Sequence, residues 1–202
     1  MSHKLKIELK YTEPKIYRTV IVPEFLTFHD LHNVIQCVMN WEDSHLYQFN
    51  LGAPYKSDSV ALKNDQDDDL SFIFGRRFEK YDSLNTTISE FFNGQKKSLN
   101  YIYDFGDDWI HSIKALKKPT LEVEIPKCIT GENAAPIEDC GGVYGFYNLM
   151  ETLNSKGKSI DKEDMRDLLG LGKKDTYESV YGFDLEKVNK KLAAEFLMYN
   201  EE

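Results

Sequence analysis

The order of two hydrophobic periods constrains this chain most. Strand-like alternation fills the first part, and a 3.6-residue period takes over in the last third. Leu5, Ile7, Leu9 and Tyr11 alternate with charged residues, the pattern of a half-buried strand. Pro14 breaks it, Ile16 to Val22 reads as a second strand rich in β-branched residues, and Pro23 ends that one. Thr27 then stands as an N-cap with Asp30 three residues on. Leu31, Val34, Ile35, Val38 and Met39 fall on one helical stripe. His45 to Leu51 reads as a strand, and residues 52–69 as a loop carrying the acidic run Asp65 to Asp69. A short apolar piece follows from Phe72 to Phe74, then a turn or short helix at Ile88, Phe91 and Phe92, ended by Asn93-Gly94. Residues 98–104 and 108–116 make the arms of a hairpin, and Gly131, Pro136, Gly141 and Gly142 mark 127–142 as irregular. Three helices close the chain, on Phe146, Leu149, Met150 and Leu153, on Met165, Leu168 and Leu169, and on Leu185, Val188, Leu192 and Phe196 behind an Asp184 cap. Strands first and helices later predict an α+β fold: an antiparallel sheet with hairpins packed on helices and a helical C-terminal third. The expected organisation is a single domain over 1–202, with 144–200 its helical part.

Hydrophobic residues make up 41% of the chain, enough for a core, while the formal charge is −9. That balance disfavours sequence-independent contact with a nucleic-acid backbone, which needs clustered Lys and Arg. Three cysteines (Cys37, Cys128 and Cys140), no hydrophobic signal core and no apolar run near the ~20 residues that span a bilayer predict a cytoplasmic protein with reduced thiols and no membrane contact.

The stretch Tyr101 to Ile113 concentrates reactive side chains: Asp104, Asp107, Asp108, Trp109 and His111 surround Gly106. A two-residue turn at Gly106-Asp107 pairs Asp104 with Trp109; a turn at Phe105-Gly106 pairs Ile102 with Trp109. In both registers Asp104 shares a face with Trp109 and His111, because side chains alternate. A carboxylate orienting an imidazole beside an aromatic wall suits proton transfer or a metal. Asp beside Gly is also ordinary turn chemistry, which accounts for most of these residues without a substrate.

Several short matches fail on context. Asp104-Phe105-Gly106 spells the kinase metal triplet, but no His-Arg-Asp loop or Gly-rich loop accompanies it. Gly157-Lys158-Ser159 lacks the first P-loop glycine, where Thr152 stands. Asp65, Asp67 and Asp69 take EF-hand positions, but Leu70 and Arg76 replace the required Gly and Glu. Gly170-Leu-Gly172 lacks the third glycine of a dinucleotide loop. Cys128 and Cys140 with His111 match no common zinc spacing and read as ordinary thiols.

Taken together, four blocks resemble the plasmid pRiA4b ORF-3-like family. They are Pro14 to Arg18 with Val22-Pro23; Leu31-His32 through Trp41-Glu-Asp-Ser-His45-Leu46; Tyr103 to Trp109 with His111; and Gly131, Ala134, Pro136, Glu138-Asp139-Cys140-Gly-Gly142 and Gly145-Phe146, closed by Phe183 to Leu192. The family usually carries two prolines before Glu-Asp, and Ile137 stands for the second here. The resemblance implies an α+β domain associated with plasmids and mobile elements, some members bearing a TnpR-type name, and it brings no established activity. A serine recombinase needs a serine among several arginines; Arg18, Arg76, Arg77 and Arg166 form no such block.

The leading expectation is a non-catalytic binding or accessory module without a cofactor; the rings of Trp41, Trp109 and Tyr144 either form an aromatic surface for an unidentified protein partner or, as is commoner, fill the core. The alternative is a metal-assisted hydrolase or nuclease-like enzyme, in which Asp104, Asp107, Asp108, His111, Glu138 and Asp139 form an acidic pocket. There Asp104, His111, Glu138 and Asp139 would hold a divalent cation. It requires loop 136–142 to fold over the hairpin tip. A weaker third reading is a DNA-associated recombination accessory, with Lys187, Lys190 and Lys191 as its basic patch.

Overall fold

The computed structural model describes residues 1–63, 78–94, 96–157 and 159–197. The acidic run Asp65 to Asp69 and the apolar piece Phe72 to Phe74 lie outside the described residues. Strands β1 (Ser2–Leu9), β2 (Tyr17–Pro23), β3 (Tyr47–Asn50), β4 (Ser59–Ala61), β5 (Lys80–Asp82), β6 (Ser98–Tyr103), β7 (Trp109–Ala115) and β8 (Lys127–Glu132) form one sheet. Its order is β5-β4-β3-β6-β7-β1-β2-β8. Helices α1 (Phe28–Met39), α2 (Ile88–Phe91), α3 (Gly142–Asn154), α4 (Ile160–Leu168), α5 (Tyr177–Tyr181) and α6 (Leu185–Leu197) complete the described elements. The α+β class and helical C-terminal part are as the residue pattern predicts, with one correction: β4 and β5 run parallel, so the sheet is mixed.

The N-terminal hairpin follows its alternation. Leu5, Ile7 and Leu9 are buried, but Tyr11 leaves the strand for a turn at φ 65° and lies exposed. Helix α1 starts on a capping box: Asp30 N–H donates to Thr27 Oγ1 at 3.1 Å and Thr27 N–H to the Asp30 carboxylate at 2.8 Å. Two orphan amides are thereby satisfied, worth about 1 kcal/mol. Its whole predicted stripe is buried.

Two expectations fail locally. Strand β4 lies inside the segment read as loop, and β8 inside the segment read as irregular. The glycine and proline signals at 131 and 136 outweighed the short β-forming run Cys128-Ile129-Thr130. Leu168, one of the three apolar residues that mark α4, is exposed; the helix ends there, and Leu169 and Leu171 turn inward instead.

Strand β8 closes one edge of the sheet. Its outward backbone at Cys128 is taken by one side chain of α6, Asn189: Cys128 N–H donates to Oδ1 at 2.9 Å, and Nδ2 donates to the Cys128 carbonyl at 3.0 Å. The amide stands in for a ninth strand at that residue and blunts the edge. Arg18 ties the same edge to the core. Buried, it donates to the carbonyls of Val38, Tyr17, Glu132 and Asn133 at 2.8–3.0 Å, with the Phe183 ring 4.5 Å from its guanidinium carbon. A Cβ at Gly131 would lie 2.6 Å from Arg18 Cδ, which explains the glycine. The expected basic patch is largely consumed. Lys187 and Lys190 pair with Asp184 and Glu186 at 3.8 and 2.7 Å, and Lys191 donates to the Trp41 carbonyl. Among the described residues, no helix is long and apolar enough to cross a membrane.

Candidate functional site

The β6–β7 hairpin settles the parity of the stretch Tyr101 to Ile113. Tyr103 pairs with Trp109 and Tyr101 with His111, a register midway between the two a two-residue turn allows. The reason is the loop, five residues from Asp104 to Asp108. Asp108 N–H closes it on the Asp104 carbonyl at 2.7 Å, and Gly106 N–H donates to Asp104 Oδ1 at 2.9 Å. Asp104 and Asp108 both adopt left-handed backbone, at φ 56° and 54°, which Asp tolerates better than most residues. An odd loop shifts the pairing by one, and a one-residue shift exchanges the faces. His111 and Trp109 therefore share a face with Tyr101 and Tyr103, not with Asp104.

This removes His111 from the expected pocket. It lies mid-sheet between Leu9 and Tyr101, fully buried, with Nδ1 3.1 Å from the Trp109 carbonyl. Burial pushes its pKa down to about 3, outweighing that hydrogen bond, so the ring is neutral. Trp109 and Trp41 are buried as well, Trp41 stacking on Tyr103 with centroids 5.1 Å apart. Of the expected aromatic partner surface, Tyr144 alone is exposed.

The hairpin tip and the loop before α3 do come together. Gly141 N–H donates to Asp107 Oδ2 at 3.0 Å, so a carboxylate from the tip caps the start of α3. Gly142, at φ 67°, lies so close that a Cβ would overlap the Asp107 carbonyl oxygen. On the other side of the tip, the Tyr55 hydroxyl donates to Asp108, which is thereby occupied. Glu138 is also occupied. Its Oε1 accepts a hydrogen bond from the Tyr103 hydroxyl and its Oε2 accepts Glu42 N–H at 2.7 Å.

Asp104 and Asp139 remain as donors, and the imidazole that joins them is His45. Its Nε2 is 3.0 Å from Asp139 Oδ1 and 3.7 Å from Asp104 Oδ2. One donor atom from each of the three lies within 4.8 Å of the others. His45 Nε2 is shielded from solvent yet hydrogen-bonded to nothing, despite the carboxylate oxygen at 3.0 Å. Asp104 Oδ1 is committed to Gly106, which leaves Oδ2 as a single donor. Residue reading missed His45 by assigning it to β3, which begins two residues later at Tyr47. The available signal was its place at the end of the compact Trp41-Glu-Asp-Ser-His45 segment.

A cleft of about 460 Å³ adjoins this cluster, walled by the end of α1, loop 135–139 and residues 180–188, and Asp139 belongs to both. The cysteines contribute no ligand. All three are free, and burial raises the thiols of Cys128 and Cys140 to about 11 and about 12, Asp107 and Asp139 adding to the second.

Comparison with known proteins agrees with the blocks read from the residues. The profile of the plasmid pRiA4b ORF-3-like protein family matches residues 1–191. An uncharacterised protein of Sinorhizobium fredii, y4hQ, is 33% identical over 151 residues, covering 74% of this chain and 72% of that protein. A crystal structure of a protein of unknown function, MM3350 from Methanosarcina mazei Go1, superposes with a TM-score of 0.73 at 32% identity, over 92% of this chain and 95% of that one. The chain belongs to the plasmid pRiA4b ORF-3-like family.

Proposed function

We propose that this chain is a binding module for a divalent cation, held by His45, Asp104 and Asp139. One observation carries the reading: a solvent-shielded imidazole nitrogen without a hydrogen bond, placed between two carboxylate oxygens from two other segments. One nitrogen and two oxygens form a borderline donor set that suits zinc or manganese, and three protein ligands leave coordination positions open. Glu138, with both oxygens taken by Tyr103 and Glu42, supports this site from outside the ligand set.

A second reading, metal-assisted hydrolysis, is favoured by the cleft that Asp139 lines, which would place a substrate beside one of the ligands. It uses the same three ligands, so cation binding is the first test for both. Chelator-stripped protein titrated calorimetrically with Zn²⁺ or Mn²⁺ should take up one equivalent per chain. His45→Ala and Asp139→Ala should each weaken uptake by more than the roughly 10- to 100-fold that loss of a supporting residue costs, while leaving the circular dichroism unchanged. Absence of stoichiometric uptake would sink both readings; uptake without metal-dependent turnover of phosphoester, ester or peptide substrates would leave the binding module.

A further inference from the structure

We propose that Tyr103 and Glu138 form the latch that assembles the cation site, as positioning residues outside the ligand set; this rests on the cation reading above. The Tyr103 hydroxyl is saturated. It accepts Ser44 N–H at 2.8 Å and His45 N–H at 3.2 Å, and it donates to Glu138 Oε1. A phenol has one proton and two lone pairs, so all its capacity is used. The other oxygen of Glu138 holds Glu42 N–H. With every site of its hydroxyl taken, Tyr103 supports the site and is not a ligand.

Each proposed ligand stands next to this latch in the chain. The His45 amide is one of its donors. Asp104 follows Tyr103 at the end of β6, and its own N–H is fixed on the Leu46 carbonyl at 3.0 Å. Asp139 follows Glu138. The anchor itself is rigid: Tyr103 is buried, paired with Tyr47 on one side and Trp109 on the other, and stacked against Trp41. Trp41 in turn donates Nε1–H to the Pro136 carbonyl at 2.8 Å, a second tie between the same two loops. The segments that carry His45 and Asp139 thus meet on one strand residue, adjacent to the third ligand. Their mutual placement is set before a cation arrives, which lowers the ordering cost of binding.

The test compares Zn²⁺ affinity, by chelator competition, in wild type, Tyr103→Phe, Glu138→Gln and the double variant, with the melting temperature of each metal-free protein. Both single variants should bind about 10- to 100-fold more weakly, and the double variant no more weakly than the worse single, because one hydrogen-bonded chain carries both effects. A purely structural role would lower the melting temperature and leave the affinity unchanged. Binding within twofold of wild type in Tyr103→Phe, or additive losses, overturns the latch while the cation site stands. A wild type that takes up no cation removes the site itself. Should Tyr103→Phe fail to fold, Glu138→Gln decides alone: with its single oxygen accepting the phenol, it opposes Glu42 N–H with an amide donor.

Discussion

Gly142→Ala should destabilise the chain by about 3 kcal/mol or more and unseat the hairpin tip from α3. Two costs add. A non-glycine residue held at positive φ pays roughly 1–3 kcal/mol, and Gly142 sits at φ 67°. The added methyl would also overlap the Asp107 carbonyl oxygen, and forced overpacking costs about 1–3 kcal/mol. Gly170 separates the two terms, because it shares the backbone conformation, at φ 63°, with nothing within 4 Å of a Cβ. Gly170→Ala should therefore show the conformational cost alone. Urea unfolding of both variants provides the comparison. Equal losses would mean that the tip does not press on Gly142, and the contact that holds Asp104 near Asp139 would be lost with that result.

The same contact shows what the residues revealed and what they withheld. The Gly-Gly pair and the Asp-rich tip were visible as special segments, since each demands unusual backbone or turn chemistry wherever it occurs. That Asp107 caps α3 from 34 residues away has no local signature, because the donor lies in one turn and the acceptor in another. The parity of the hairpin was hidden for a related reason. Loop length decides which face each side chain takes, and Asp at positive φ at both ends of a five-residue loop mimics shorter turns in its composition. His111 falls outside the expected pocket as a result, and the imidazole next to Asp104 is that of His45. The α1 capping box was fully legible, since all its parts lie within four residues. Strands β4 and β8 were not, because short strands draw their pairing from distant neighbours and not from their own periodicity.

His111 also governs an expected acid response. Its folded pKa is about 3, depressed by burial, against an ordinary value of 6.5. Between those values the unfolded chain binds the proton and the folded chain does not. Stability then rises with pH across the window, by roughly 1.4 kcal/mol per pH unit when the difference is one proton. The contribution is intact above 6.5, is lost progressively as pH falls toward 3, and stops changing once the folded ring also takes the proton. His32 acts in the same direction: burial lowers its pKa, and the 2.8 Å contact to Asp43 offsets this only in part. The total slope therefore exceeds one proton, and the share of His111 is isolated by difference. Urea unfolding of wild type and His111→Leu at pH 7, 5.5, 4.5 and 3.5 should give a variant slope shallower by about one proton over the lower three points. Leucine suits the site, since Leu9, Tyr101 and Trp41 surround it with largely apolar groups. Should that variant not fold, His111→Gln removes the same proton at closer to the original polarity. Parallel slopes in wild type and variant would place the ring in contact with water at acid pH. The side chains around it would then be looser than the fully buried position requires, and the sheet face on which Tyr103 is anchored would lose its claim to rigidity.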